Sequence, residues 1–178
     1  LMYEFPRAAM NQELKKGRNF LNQFLTDLYG KQQWTRSIIH DWLGEWKPDY
    51  VIDINRDTQL QDTYSNDDHI LIVGLARIAA SPYRFKIYQY DRKNYFEISE
   101  EQVDPNLPVL FKPMGTPKPV PDYVASDADY VDYITELMGG FAIPGFLKTY
   151  RQGKKYLLLG MSLNRDSERM VLSDIIYG

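Results

Sequence analysis

Apolar residues recur at helical spacing across residues 11–29, at Leu14, Phe20, Leu21, Phe24, Leu25 and Leu28, with Gly30 at the C-terminal cap. Trp34, Ile38, Ile39, Trp42, Leu43 and Trp46 mark a second helix, closed by Pro48. Residues 50–54 are short, apolar and β-branched, which predicts a buried strand, and a short helix follows over 58–64. Residues 70–73 form an uninterrupted apolar run of the kind found in sheets covered on both faces. Over 84–99 the pattern alternates: Phe85, Ile87 and Tyr88, then Tyr95, Phe96 and Ile98. The turn Asp91-Arg92-Lys93-Asn94 between the two stretches predicts a β-hairpin. Its aromatic residues are either core or a partner surface.

Residues 107–112 form a third buried strand, followed by a loop that Pro113, Pro117, Pro119 and Pro121 keep extended and stiff. A helix over 126–138 opens with Ser126 and Asp129 at capping-box spacing and closes at Gly139-Gly140. A short helix over 143–152 ends at Gly153. A fourth buried strand over 155–159 and a final helix over 167–177 complete the chain. Apolar strands alternating with helices predict one α/β domain over residues 1–178. Its sheet is Rossmann-like, mainly parallel and covered by helices on both faces, with a small β-hairpin insertion.

In such sheets ligands bind at the carboxyl ends of strands. Asn55-Arg56-Asp57-Thr58 follows the first strand, Met114-Gly115-Thr116 the third, and Gly160-Met161-Ser162-Leu163-Asn164-Arg165-Asp166 the fourth. Asn55 offers both a donor and an acceptor, and Ser162 beside Gly160 offers a hydroxyl and backbone N–H groups to a phosphate. Each run also has a plainer reading. Asp57-Thr58 is a helix N-cap, Gly-x-Ser turns the chain, and Arg165-Asp166 is a salt-bridged helix start.

Composition narrows the function. A formal charge of -3 and a pI near 5.4 argue against a direct, sequence-independent grip on nucleic acid. The absence of cysteine removes disulfides, thiolate nucleophiles and cysteine-based zinc sites, and it fits a reducing cytoplasm. Two histidines, His40 and His69, are too few for a histidine-rich metal site. No apolar run approaches the roughly 20 residues that cross a bilayer. Three Trp, 14 Tyr and 8 Phe suit either an aromatic core or a protein partner, including a second copy of the chain.

The order of the strand-end clusters resembles the sirtuin-like NAD-hydrolase family over residues 40–166. Ile52-Asp53-Ile54-Asn55-Arg56-Asp57-Thr58 resembles that family's strand ending in an Asn-x-Asp turn. Phe111-Lys112-Pro113-Met114-Gly115-Thr116 is similar to its strand leading into Lys-x-His-Gly-Ser. Residues 126–130 are similar to the segment opening its next helix, and Leu157-Leu158-Leu159-Gly160-Met161-Ser162-Leu163 to its late Gly-x-Ser-Leu strand. The resemblance is closer to the prokaryotic NAD-hydrolase branch than to protein deacetylases, whose paired zinc cysteines are absent.

The resemblance implies a site for NAD or ADP-ribose without a metal. Asn55 would contact the nicotinamide ribose and help position a water, and Asp57 would anchor the loop. Gly115, Gly160 and Ser162 would lie near the cofactor. The catalytic histidine's position holds Met114, and a thioether cannot act as a general base. His40, at the far end of a helix before the first strand, is an ordinary, partly buried histidine. The family's glycine-rich phosphate loop has no counterpart among the first twenty residues, and it is expected upstream of Leu1 or lost.

These observations favour a degenerate nucleotide-binding domain over an active NAD hydrolase. A docking module that binds no nucleotide remains open. A hydrolase built on Asp127, Asp129 and Asp132 is weaker, because Asp129 and Asp132 are expected to face water. Asn55, Met114 and Ser162 are expected to line one cleft.

Overall fold

The computed structural model describes residues 5–78 and 80–177. They form a mixed α/β fold around a five-stranded sheet, with strand order β1-β5-β2-β3-β4. The strands are β1 Tyr50–Ile52, β2 His69–Gly74, β3 Phe85–Tyr90, β4 Tyr95–Ile98 and β5 Val109–Lys112. β5 lies between β1 and β2 and is parallel to both, with Val109 opposite Tyr50 on one side and Ile70 on the other. β3 and β4 add antiparallel neighbours beyond β2. The hairpin is therefore the antiparallel end of the same sheet and not an insertion. Its turn is closed by the Asp91 carboxylate, which accepts the backbone N–H groups of Lys93 and Asn94.

Successive strand residues point to opposite faces, so a sheet covered twice needs apolar residues at every position. On one face Ile70, Ile72, Val109 and Phe111 pack against α5 (Asp127–Gly139), α6 (Gly145–Tyr150) and α7 (Asp166–Tyr177). The helix residues in this contact are Tyr133, Leu137, Leu147, Val171 and Ile175. On the other face Leu71, Val73 and Leu110 pack against Leu43 of α3 (Ile38–Trp46), Leu60 of α4 (Gln59–Thr63) and Tyr64.

The first predicted helix is two. α1 (Phe5–Lys16) and α2 (Arg18–Thr26) are broken at Gly17, whose φ of 86° lies where a side chain is strained. α2 widens into a π turn over Asp27–Lys31, which contains Gly30. Leu21 and Leu25 of α2 cover Tyr123 and Ala125 beside a small antiparallel pair, β6 (Gly115–Thr116) and β7 (Asp122–Tyr123).

Asp129 and Asp132 do not face water as the helix pattern suggests. Asp129 completes the α5 capping box with Ser126 and binds Arg18 at 2.6 Å, while Asp132 binds the buried Arg84 at 2.6 Å. Both carboxylates hold α5 in place through these ion pairs. Long-range partners override the local pattern here.

The largest departure is at residues 155–159, which pair with no strand. Leu157, Leu158 and Leu159 are 64%, 51% and 40% exposed. A strand forms only where a neighbouring edge lies about 4.8 Å away. The edge strand here is β1, and a cavity separates it from this segment. Among the described residues no helix is long and apolar enough to cross a membrane, and no three His, Cys, Asp or Glu residues cluster to hold a metal.

Candidate functional site

Parallel pairing brings the carboxyl ends of β1 and β5 side by side, and the Asp53 N–H donates to the Phe111 carbonyl at 2.9 Å. The buried Lys112 ammonium meets Asp53 Oδ2 at 2.7 Å, while Asp53 Oδ1 accepts the Asn55 N–H at 2.9 Å. Asp53 therefore neutralises a buried cation and also shapes the turn that carries Asn55. Arg56 turns away, donating to the Val124 carbonyl at 2.5 Å and the Tyr130 hydroxyl at 3.1 Å. Asp57 Oδ1 accepts the Gln59 N–H at 2.9 Å and so opens α4. Every backbone turn of the loop has a named side-chain support.

Beside this loop lies a cavity of about 410 Å³, walled by α3, β1, residues 154–161 and α7. The 154–161 segment runs alongside β1 in the same direction. Its Lys154 lies over Tyr150, which stacks on Tyr50 at the start of β1. Its Gly160 comes close to Ile39 at the start of α3. The lining is graded along this length. Trp42, Trp46, Tyr50 and Tyr156 give it aromatic walls, Lys154 and Lys155 contribute positive charge at one end, and His40, Asp53, Asn55 and Asp57 gather at the other. Apolar and aromatic walls with a few placed polar groups are typical of small-molecule sites, and about 300–1,000 Å³ is the usual size.

Three of the residues expected from sequence therefore share one cavity: Asn55, Asp57 and Gly160. Asn55 is exposed, and its side-chain amide has no partner among the described residues. The other three lie elsewhere. Met114 lies two residues past β5, but its side chain is buried in the core cluster that includes Val124 and Tyr133, and its carbonyl accepts the Val124 N–H. Gly115 has φ 88°, and a Cβ there would meet the Asp122 carbonyl oxygen at 2.1 Å. Its glycine serves the close contact of β6 with β7. Ser162 is exposed and outside the cavity lining. Asn55, Met114 and Ser162 thus do not line one cleft, because the chain after β5 turns into the core and residues 155–159 never join the sheet.

Two members of the site, Lys112 and His40, are given no site role by the sequence pattern. Lys112 carries a signal: a lysine ends an apolar strand, and an aspartate ends the strand that pairs with it. His40 carries none, since helical spacing only sets it beside Leu43 on the inner face of α3. It is 9% exposed and borders the cavity, and its Nδ1 is buried without a hydrogen-bond partner among the described residues. Burial holds its pKa below the ordinary histidine value, against the pull of Asp53 and Asp57.

The arrangement can bind a ligand through stacking and hydrogen bonds. At the position expected for a base it offers a buried thioether, which takes no proton. The fold and site define a mixed α/β protein with a ligand-sized cavity along a parallel edge strand, its polar end past the strand's carboxyl end. No family model, curated protein or solved structure matches the chain.

Proposed function

We propose that this protein is a degenerate, sirtuin-like nucleotide-binding domain of Rossmann-like type. It takes NAD or ADP-ribose into the cavity beside β1 and has a binding or regulatory role without turnover. The observation that carries this reading is the cavity itself, which has aromatic walls along β1 and holds Asn55, Asp57 and Gly160 past the carboxyl end of that parallel strand. The lysines at its other end suit phosphates, and the rings of Trp42, Trp46 and Tyr156 suit a base. The cysteine-free composition fits work in a reducing cytoplasm.

A second reading, docking of a protein partner or another copy of the chain, draws on the exposed Leu157, Leu158, Trp46 and Trp42 around the same cavity.

Melting the full-length protein with NAD and with ADP-ribose separates the two. A ligand bound only by the folded state stabilises it by RT ln(1 + [L]/Kd), roughly 2.7 kcal/mol at a hundred times Kd. A rise of several degrees that shrinks in Asn55→Ala supports nucleotide binding, and chromatography of the same mixtures should show no released nicotinamide. No rise at millimolar nucleotide leaves docking as the better account. Nicotinamide release that vanishes in Asn55→Ala would make the protein an active NAD hydrolase.

A further inference from the structure

The hydrogen-bond inventory of the cavity is uneven. Asp53 uses both carboxylate oxygens, one on Lys112 and one on the Asn55 N–H. Asp57 uses Oδ1 on Gln59, and its Oδ2 has no partner among the described residues. The Asn55 amide is likewise unpaired, and the buried Nδ1 of His40 has no hydrogen-bond partner among the described residues. Of these three, only His40 is buried. An unpartnered buried polar atom is explained where a water, an ion or a ligand supplies the partner; the hydroxyls of Tyr50 and Tyr156, which also line the cavity, are buried and unpartnered in the same way among the described residues.

We infer that His40 is a ligand-recognition residue of this cavity, reading an uncharged hydroxyl-bearing group such as a sugar diol. This deepens the nucleotide reading and rests on it. The charge around the ring selects the class of group. Asp53 and Asp57 favour positive charge on the ring and Arg36 and Lys112 oppose it, and Arg36 and Lys112 are already bound to Asp41 and Asp53. What is left unpaired at this end is the Asp57 oxygen, an amide and an imidazole. A phosphate would meet the unpaired carboxylate oxygen, whereas a hydroxyl can donate to it and share a second hydrogen bond with the imidazole. Phosphate suits the lysine end of the cavity instead. Sequence periodicity cannot register this role, because it reports only that His40 is on the inner face of a helix.

The test compares wild type, His40→Leu and His40→Gln by thermal melting without ligand and with titrated ADP-ribose, using inorganic pyrophosphate as a phosphate-only probe. Without ligand, His40→Leu should melt at or above the wild-type temperature, because it removes an unsatisfied nitrogen. Its ADP-ribose affinity should fall about tenfold, the worth of one good hydrogen bond. His40→Gln should recover part of that loss, and pyrophosphate binding should be equal in all three. The inference is overturned if His40→Leu melts below wild type without ligand, since the ring would then have a structural role. Unchanged ADP-ribose affinity in His40→Leu overturns it as well. If wild type shows no ADP-ribose shift, the nucleotide reading fails, and with it the assignment of His40 to a nucleotide's sugar.

Discussion

At the hairpin end of the sheet, His69 is fully buried and both ring nitrogens are engaged. Nδ1 faces the Asp67 carbonyl at 2.8 Å and Nε2 faces the Tyr95 hydroxyl at 2.6 Å. A carbonyl only accepts, so Nδ1 carries the proton and Nε2 accepts from Tyr95. Tyr64, Tyr90 and Tyr95 surround the ring. At the β1 end, His40 is nearly as buried and its Nδ1 has no partner. Exposed leucines and a cavity replace the aromatic box. One histidine is hydrogen-bonded at both ring nitrogens, and the other leaves its Nδ1 unpartnered among the described residues.

The sharpest break in this comparison is predicted at the ion pair beneath the cavity. Lys112→Ala leaves Asp53 without its buried counter-charge, which should destabilise the fold by about 3–5 kcal/mol. Denaturant melts measure it. A loss below 1 kcal/mol would mean that water reaches the pair and that the cavity floor is not rigid.

A smaller effect distinguishes the histidines. His69→Leu strands the Asp67 carbonyl and should cost about 1–3 kcal/mol. Burial lowers the pKa of His69 below its ordinary value, so below about pH 6.5 the unfolded chain takes up a proton that the folded chain resists. Stability from this group is therefore complete above that pH and declines as pH falls. Urea melts at pH 7.5 and 5.5 should show a larger drop in wild type than in His69→Leu. An equal drop would place the pH sensitivity elsewhere.

The smallest effect is expected at the unpaired segment. Leu158→Asp should change stability by no more than about 0.5 kcal/mol, the range for surface sites. A loss of several kcal/mol would show that residues 155–159 form a buried strand in solution.

Much of the sheet is legible in the chain. β2 and β5 are short apolar runs with no polar face, and β3 and β4 alternate around an Asp-led turn, so each carries its own period. The capping box of α5 is also local, and Ser126 and Asp129 form it as read. What is lost is non-local. Residues 155–159 carry the apolar signature of a strand, yet strand formation needs an adjacent edge that no local pattern reports. Arg18 lies 111 residues from Asp129, so the bond between them is invisible to helical spacing. The candidate site divides the same way. Asn55 and Asp57 are readable because they follow a strand, whereas Met114 follows one too and turns into the core.

The measurement that bears most directly on the central claim is calorimetric titration of ADP-ribose into full-length wild type and Asn55→Ala at pH 7.5. The account predicts saturable binding of one ligand per chain in wild type. In Asn55→Ala it predicts weaker binding by about tenfold, the worth of one good hydrogen bond, with an unchanged melting temperature. Equal affinity in the two proteins, or no heat in either, would contradict a nucleotide site beside β1.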